Sequence, residues 1–466
     1  LSALILAGIF AATQASAQNK TIISGKIINR TTDTVMFRAE GMAYSLDIKT
    51  LPFLTDQDGN FFIEVPLKKH ATEFFLYSGR EFSIRGFIEP GQHLQIIADT
   101  KKPKAPQLKS EDLSASNTRL LNTYKSLLSA NRNENPFLYQ VYTDSTISPE
   151  RFLEVVDSLT AKEMNFWNSK RDSISNSFYE NRKISTLSQK TWVKAAYAFE
   201  YKFRYPNRPK LPVSYHSYLR DMPMIRDIHL SASDLSETID RMIEHAKGVD
   251  ENGPMKVTAL EALKIIDTLF QGDTRNNILA RWMDSHIRYG KDQNEIEETY
   301  AYYQNMKHDP SYNKVIEEGY KIFSSLKTGS SAPDFELKGL DGKTYRIKDF
   351  KDKVVYIDFW ASWCGPCRHE MKNHAAALHN KFVGKDVVFL FISVDTDAGA
   401  WKKAIKEDNI QGVHVSAVDP QLLTKLNISG IPHYMIVDKE GKIFNSNAPR
   451  PSNPNTVSEI NNALKK

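Results

Sequence analysis

The feature that most constrains the fold is an apolar heptapeptide, Val354–Trp360 (VVYIDFW), followed almost at once by the pentapeptide WCGPC at 363–367. A run of this kind, with Asp358 as its one charged side chain, is typical of a strand buried on both faces. A proline between the two cysteines is compatible with the first turn of a helix, where its missing N–H costs no hydrogen bond. Cys364 and Cys367 are the only cysteines in the chain. All of its thiol chemistry is therefore confined to one junction between a strand and a helix.

Strands and helices alternate around this motif, so an α/β sheet with helices on both faces is expected. The Asp341-Gly342 dipeptide lies between two short apolar runs ahead of the motif and predicts a hairpin. Further strands are predicted at Val387–Val394, Tyr434–Val437 and Lys442–Phe444, and helices from the motif to about Phe382, at Ala398–Asp408 and at Val457–Leu464.

The composition is that of a soluble globular protein. Of its 466 residues, 41% are hydrophobic and 25% are charged, and a chain of this length is expected to form about three domains of roughly 100–200 residues each. These values exclude a disordered tail, a collagen-like fibre and a polytopic membrane protein. The near balance of 61 basic and 56 acidic residues does not favour nucleic-acid binding.

The segment Leu1–Ala17 has the pattern of a truncated signal peptide. It is uncharged, and an apolar stretch of about a dozen residues precedes Ala15-Ser16-Ala17, an A-x-A cleavage site. We therefore expect an exported protein of the periplasm or cell envelope, where disulfides are tolerated. The alternative is an uncleaved anchor that holds the chain on the membrane facing the periplasm, although a span needs roughly 18–20 apolar residues.

Two polar linkers, at 101–106 (KKPKAP) and 327–333 (KTGSSAP), predict three domains. Residues 20–100 contain short runs rich in Ile, Val, Phe and Tyr, which predict a small antiparallel β-sandwich. Residues 108–326 show the i, i+3, i+4 apolar spacing of an α-helical domain. Residues 329–466 form the α/β domain. The expected fold class is multidomain: all-β and sandwich-like, then α-helical, then α/β.

A lone C-x-x-C pair is compatible with several kinds of site. Zinc needs further ligands at metal spacing, and c-type haem needs a histidine where this chain has Arg368. His369, His374 and His379 step by five residues, so we expect them to be spread around the helix at solvent-exposed positions, not to bind a metal. A structural disulfide across so short a loop would add little stability. The redox interpretation remains, with no metal and no cofactor besides the cysteine pair.

The start of a helix is a favourable position for a thiolate at Cys364. The first N–H groups of a helix have no partner within it, and the positive end of the helix dipole stabilises an anion. The pKa of such a thiol falls from about 8.5 toward about 7. Cys367 lies one turn further along, where it is expected to be less exposed and suited to resolving a mixed disulfide.

Two carboxyl groups are candidates for moving the proton of Cys367. Asp358 is expected to be buried beneath the motif, which would raise its pKa. Glu370 follows Cys367 by three residues on the same helix face, and an ordinary surface carboxylate is the alternative interpretation. The dipeptide Ile431-Pro432 precedes an apolar strand, and a cis peptide there would leave the preceding backbone groups free to pair with an extended substrate.

Together these motifs resemble the thioredoxin fold and, more narrowly, the TlpA/ResA-like periplasmic thiol-disulfide oxidoreductases. The residues that carry the resemblance lie between 329 and 466: Ser331-Ala332-Pro333-Asp334-Phe335, Asp341-Gly342, Val354–Trp360, WCGPC, Glu370, Ile431-Pro432 and Asp438–Lys442. The whole arrangement resembles exported Bacteroidetes-type proteins with an N-terminal β domain, a helical middle region and a C-terminal thioredoxin domain.

The resemblance implies roles for individual residues. Cys364 is then the nucleophile, Cys367 the resolving thiol, and Asp358 and Glu370 the acids. The implied substrate contacts are Trp363, Gly365, Pro366, Ile431 and the cis-proline Pro432. The sequence departs from the family in two places: many members have Asn in place of Asp358, and a Pro soon after the glutamate, where this chain has Met371-Lys372.

The predicted function is that of an exported thiol-disulfide oxidoreductase that reduces protein disulfides, since the Gly-Pro between its cysteines resembles the reducing thioredoxins. The expected partners are disulfide-containing exported proteins and, as the family implies, a membrane thiol electron donor, with no nucleic acid and no indication of oligomeric state. One alternative is a thiol peroxidase of the peroxiredoxin type, which shares the Ala-Pro-Asp-Phe entry. The other is a cell-envelope binding protein with an accessory thioredoxin domain.

Overall fold

The computed structural model describes residues 20–44, 50–78, 81–103, 106–130, 147–204, 210–233, 235–250, 253–290 and 292–466. The segment 1–17, predicted to be a signal peptide, lies outside them. The chain divides into two compact units, residues 1–281 and 282–466. Among the described residues, no helix combines the length and the apolarity that crossing a membrane would require.

The first unit opens with two four-stranded sheets. Their strands are β1 (Thr21–Ile28), β2 (Thr34–Ala39), β3 (Leu51–Leu54), β4 (Asn60–Val65), β5 (Thr72–Ser78), β6 (Phe82–Ile88), β7 (His93–Asp99) and β8 (Gln107–Lys109). One sheet has the order β4-β1-β7-β8 and the other β3-β2-β5-β6. Most of these strands coincide with the predicted β runs, whereas β3 and β8 were missed because both are short and carry polar or proline residues.

Period-two alternation determines which side of each strand is buried. In β4, Phe61, Ile63 and Val65 are buried while the residues between them are exposed. These three belong to the same apolar cluster as Phe37 and Phe74 of the other sheet. The two sheets therefore share one core. The expectation of a purely antiparallel arrangement is wrong for β1 and β7, which pair in parallel through the first sheet.

Helices follow, as the apolar spacing predicts. They are α1 (Ser114–Ala130), α2 (Pro149–Ser169), α3 (Asn176–Arg204), α4 (Ser236–Lys247), α5 (Ala259–Leu269) and α6 (Gly272–Tyr289), with a two-residue strand pair, β9 (Val249–Asp250) and β10 (Gly253–Pro254), between α4 and α5. Thr258 begins α5 with a capping box, because its hydroxyl accepts from the Glu261 N–H while the Glu261 side chain accepts from the Thr258 N–H. Phe152 of α2 stacks on Tyr197 of α3 at 4.0 Å between ring centroids.

The second unit begins within α6, at Trp282, and continues with α7 (Gln293–Asn305) and α8 (Asn313–Ser325). Its seven strands are β11 (Leu337–Gly339), β12 (Thr344–Tyr345), β13 (Val354–Trp360), β14 (Val387–Ser393), β15 (Val413–Ala417), β16 (His433–Val437) and β17 (Ile443–Asn445). Its later helices are α9 (365–380), α10 (Ala398–Glu407), α11 (Leu422–Lys425) and α12 (Thr456–Leu464). The sequence missed β15 and α11, whose five and four residues are too short for a clear period.

These seven strands form one mixed sheet in the order β12-β11-β15-β14-β13-β16-β17. The motif strand β13 is central, parallel to β14 and antiparallel to β16. All seven of its residues are buried, because Val355, Ile357 and Phe359 pack into a cluster on one face while Val354 and Tyr356 pack into a cluster on the other. This is the α/β, thioredoxin-like arrangement that the sequence predicts.

The segment 327–333, predicted to be a linker, is hydrogen-bonded along the edge of this sheet. The Gly329 N–H donates to the Ile443 carbonyl at 2.7 Å, and the Ala332 N–H donates to the Gly441 carbonyl at 2.9 Å. Polar composition alone did not distinguish a free linker from a segment that pairs with a strand distant in sequence.

Candidate active site

The two cysteines lie where β13 gives way to α9. Cys364 is the N-cap of the helix, and its Sγ accepts a hydrogen bond from the Cys367 N–H at 3.2 Å. The two sulfur atoms form a disulfide. Cys364 is 5% exposed and Cys367 is fully buried. Cys367 is therefore the more deeply buried of the two, as the sequence predicts.

The residues around the cysteines differ sharply in exposure. Trp363 is 72% exposed, and Gly365 and Pro366 are exposed on the first turn of the helix. Beneath them, Trp360 lies in a buried apolar cluster with both cysteines. The motif thus presents an open apolar surface above the disulfide and a dry interior below it.

A carboxylate that the sequence analysis did not single out fixes the turn before the cysteines. Asp395 accepts hydrogen bonds from the Ser362 N–H at 2.8 Å, the Ser362 hydroxyl at 2.6 Å and the Ser393 hydroxyl at 2.7 Å. Asp395 directly follows the end of β14, the parallel neighbour of β13. An acid at the carboxyl end of a strand beside the motif strand was the pattern that would have identified it.

Arg368 anchors the cysteine helix from its other side. Its guanidinium binds Asp408 through Nε at 2.6 Å and through Nη2 at 3.0 Å, and it reaches Glu407 at 3.1 Å. This two-point contact with a carboxylate is the geometry in which an arginine fixes orientation as well as charge. The turn before Cys364 and the first turn of the cysteine helix are therefore both held by hydrogen bonds to charged groups in segments that follow β14.

Asp358 lies in the interior of the unit, as the sequence predicts. It is 1% exposed, and within the described part of the chain neither of its carboxyl oxygens has a hydrogen-bond partner. It lies opposite Tyr434 in the β13–β16 pairing. Burial, and secondarily the charge of Glu370, raises the pKa of Asp358 well above its usual value. A buried carboxyl group with a raised pKa beside a cysteine pair is a candidate for proton transfer.

Glu370 is not a surface carboxylate, since it is only 5% exposed. Its oxygens accept from the Ser452 N–H at 3.0 Å and from the Ser452 hydroxyl at 2.8 Å. The Arg450 guanidinium approaches to 3.7 Å. The sequence analysis missed Arg450 and Ser452, which lie 80 or more positions from Glu370. Their only local indication was a polar, proline-rich segment ahead of the final helix.

The peptide bond between Ile431 and Pro432 is cis. Ile431 packs against the apolar cluster that contains Trp360 and both cysteines. Among the contacts of the described residues, none is a hydrogen bond to the Ile431 backbone. His433, which follows, is bonded through Nε2 to the Ser446 carbonyl at 2.9 Å, and burial lowers its pKa. The loop thus offers an open backbone beside the disulfide.

The three histidines of the cysteine helix depart from the sequence expectation. A π-helical turn, Met371–Ala375, interrupts α9, and such a turn brings residues five apart onto one face. The rings of His369 and His374 are consequently 5.9 Å apart, and His379 is half-buried against Phe389 with centroids 3.8 Å apart. The prediction of dispersed histidines is wrong for His369 and His374 for this reason. The prediction of solvent exposure is confirmed for His369 and wrong for His379, which is half-buried. In the described part of the chain, no group of three or more His, Cys, Asp or Glu side chains is placed to hold a metal ion.

Comparison with known proteins covers this same region. Residues 327–464 match the Redoxin family model. The chain is 29% identical over 119 residues to the thiol-disulfide oxidoreductase ResA of Bacillus thuringiensis subspecies konkukian, which is 26% of this chain and 68% of that protein. A solved chain from Bacteroides vulgatus, assigned as a thiol-disulfide oxidoreductase, is 38% identical and covers 30% of this chain and 99% of its own length, with a TM-score of 0.29. The thioredoxin domain of a thiol-disulfide oxidoreductase from the same species is 32% identical with the same coverage and a TM-score of 0.28.

Proposed function

The C-terminal domain of this chain belongs to the thiol-disulfide oxidoreductases of the thioredoxin superfamily, and on that premise we propose that the protein is an exported reductase of protein disulfides. The observation that carries the proposal is the asymmetry of the cysteine pair. Cys364, at the helix N-cap, is the accessible sulfur, whereas Cys367 is fully buried one turn further along. Such a pair can attack a substrate from one sulfur and close the reaction from the other.

The proposed reaction starts from the dithiol. The Cys364 thiolate attacks one sulfur of the substrate disulfide, forming a mixed disulfide and releasing the other substrate sulfur as a thiolate. The Cys367 N–H, which contacts the Cys364 sulfur at 3.2 Å in the disulfide, is positioned to stabilise negative charge on that sulfur. Trp363, Gly365 and Pro366 form the surface that a substrate meets first.

Resolution requires that Cys367 lose its proton inside the protein. We assign this proton to the ionised form of Asp358, which is buried and has no hydrogen-bond partner among the described residues. Because the pKa of this carboxyl is raised, its carboxylate is a stronger proton acceptor than an ordinary one. The Cys367 thiolate then attacks Cys364, the Cys364–Cys367 disulfide forms and the second substrate thiol is released. Glu370, held by Ser452, supplies negative charge that favours the protonated form of Asp358.

Substrate binding is proposed at the cis-proline loop. An extended polypeptide can add a strand to backbone groups that have no other partner, and the Ile431 backbone is open in this way. Ile431 and Pro432 would hold the substrate chain against the disulfide. The substrates are disulfide-containing exported proteins, and a membrane thiol donor of electrons returns the Cys364–Cys367 disulfide to the dithiol. No metal or organic cofactor takes part.

We also propose a location for the protein and a fold for its first domain. Export to the periplasm or cell envelope rests on the A-x-A pattern of Leu1–Ala17. The β domain (20–100) is sandwich-like, as its shared core supports, and it precedes the helical domain (108–326) and the redox domain (329–466). Fractionation of cells and the N-terminal mass of the mature protein test the first point.

Trapping of covalent partners tests the proposed reaction. The Cys367→Ser variant should accumulate mixed disulfides through Cys364 with proteins of the native compartment, visible on non-reducing gels and identified by mass spectrometry. The matched Cys364→Ser variant should trap none, because the remaining cysteine is buried. Equal trapping by both variants, or by neither, would contradict the mechanism.

Equilibration with glutathione tests the direction. A reductase should have a potential near that of thioredoxin, about −270 mV, whereas a strong oxidant lies near about −120 mV. A value close to the second figure would overturn the reductase assignment and leave the oxidoreductase family intact.

A further inference from the structure

A polar cleft of about 200 Å³ lies next to the cis-proline loop within the second unit. One wall is the C-terminal end of α6, including Arg288 and Tyr289. The facing wall comes from Asn427 and Ser429, ahead of the cis-proline, and from the turn after β17, including Asn447. No part of the reaction described above uses this cleft.

The cleft depends on residues outside the matched family domain. The Redoxin match begins at residue 327, whereas the first wall and part of the floor, including Phe323, precede it. A domain that began at residue 327 would lack one side of the cleft. The cleft therefore depends on residues of this chain that precede the matched family domain, and it is a candidate site for substrate specificity.

The side chain of Asn427 caps the C-terminal end of α6 and so joins the two walls of the cleft. Asn427 adopts a left-handed backbone conformation with φ of 53°, and its amide donates to the carbonyl of Ile287 at 3.5 Å and to that of Arg288 at 3.3 Å. The last carbonyls of a helix have no partner within it, so this amide satisfies the end of α6. The cleft is consequently formed in advance and does not need a ligand to assemble it.

The lining has the chemistry of a polypeptide site. It offers the amides of Asn427 and Asn447 and the hydroxyl of Ser429, which can both donate to and accept from a peptide backbone. Arg288 contributes a guanidinium whose Nε is bound to Asp284 at 2.8 Å. Among the described residues that line the cleft, none carries a carboxylate. Asp284 engages only Nε of Arg288, so the two terminal nitrogens, which have no partner among the described residues, are left to bind an acidic side chain.

We propose that this cleft binds an extended segment of the substrate polypeptide flanking its disulfide, with an acidic side chain at Arg288, an inference that rests on the proposed function. The same loop serves both sites, since Ile431 packs against the cysteine cluster while Ser429 and His433 line the cleft. A substrate strand added at Ile431 would therefore lie next to residues that line the cleft. Six extended residues span about 20 Å, so the flank of an ordinary protein disulfide is long enough to enter it.

The experiment compares disulfide peptides that differ only in a six-residue flank, acidic in one and basic in the other, with 5,5′-dithiobis(2-nitrobenzoate) as a reagent without a flank. The wild type should show a KM for the acidic peptide about five-fold below that for the basic one, the effect of one partly exposed charge pair. Arg288→Gln should abolish this preference. The control Arg346→Gln, at an arginine of similar exposure bound to Glu336, should retain it.

A second variant keeps the inference testable if Arg288→Gln does not fold. Asn447→Trp places a large ring in the cleft from an exposed turn and should raise the KM for both flanked peptides, relative to the reagent without a flank. A wild type without flank preference, or an Arg288→Gln variant that keeps it, overturns the inference. A wild type that reduces none of the three disulfides overturns the proposed function instead, so the two failures are distinguishable.

Discussion

Glu370 of the cysteine helix and Ser452 of the segment before the final helix form a two-point contact, in which one carboxylate accepts both the N–H and the hydroxyl of the same residue, at 3.0 and 2.8 Å. The contact fixes a negative charge in the interior, at a residue only 5% exposed. Because that charge adds to burial in raising the pKa of Asp358, a surface segment 82 positions away takes part in setting the proton affinity at the redox site.

Replacement of Glu370 by Gln should shift the pH profile of resolution. The amide keeps the size of the side chain but removes its charge, so the pKa of Asp358 should fall. The rate at which the mixed disulfide is resolved rises with pH, and this rising limb of the pH–rate profile should therefore move to lower pH. Stopped-flow measurement of that step between pH 5 and 9 checks this. An unshifted limb would mean that Asp358 does not respond to Glu370. Ser452→Ala, which keeps the charge, should leave the limb closer to that of the wild type and cost about 1.5–3 kcal/mol of stability.

Replacement of Asp358 by Asn should change the pH dependence of protein stability and should slow the resolution of the mixed disulfide. The folded-state pKa of Asp358 lies above the unfolded value, so its stabilising contribution is complete below the unfolded pKa and is lost as pH rises through the folded pKa. The difference in unfolding free energy should therefore move in favour of Asp358→Asn as pH rises from 4 to 9. Urea titrations of the oxidised proteins measure it. Resolution should slow by a factor on the order of 100. A constant stability difference across pH would contradict a buried carboxyl whose pKa is raised.

His379 should make the fold sensitive to mild acid. Its pKa is lowered to about 4, by burial and then by the charge of His414. A histidine of lowered pKa contributes stability above the unfolded pKa of about 6.5 that is lost as pH falls toward about 4. The melting temperature should thus drop between pH 7 and 5, and His379→Gln should reduce the drop. His369→Gln, at an exposed position of the same helix, is the matched control and should leave the wild-type drop in place.

Removal of the Asp395 carboxylate should loosen the turn before the cysteines. Asp395→Ala deletes the acceptor for the Ser362 N–H and for two hydroxyls, and a hydrogen bond to a charged group contributes about 1.5–3 kcal/mol. We expect lower stability of that order, together with a changed rate of alkylation of reduced Cys364 by iodoacetamide. Asp386→Asn, in an exposed turn, should alter neither. A normal alkylation rate in Asp395→Ala would show that the turn is held by other contacts.

The local chemistry of the site was largely predictable because it depends on neighbours in the sequence. The apolar run of β13 implied a doubly buried strand with Asp358 inside it, and the spacing of the cysteines implied that Cys367 is more deeply buried than Cys364. The cis peptide before Pro432, which the family resemblance implied, is present in the structure. Each of these inferences uses contacts within a few residues, where side-chain period and backbone preference operate.

The remaining features depend on segments that the chain brings together from a distance. By itself, the sequence determined the strand–cysteine–helix junction, the α/β class of the C-terminal domain and the residues able to exchange disulfides. Only the tertiary structure decided that Glu370 is buried and bound to Ser452 and that Asp395 holds the turn before the cysteines. It also decided that a π turn brings His369 and His374 together and that α6 lines a cleft next to the cis-proline loop. The physical reason is that burial and hydrogen-bond partners are set by packing between elements, and packing partners are not encoded in local periodicity.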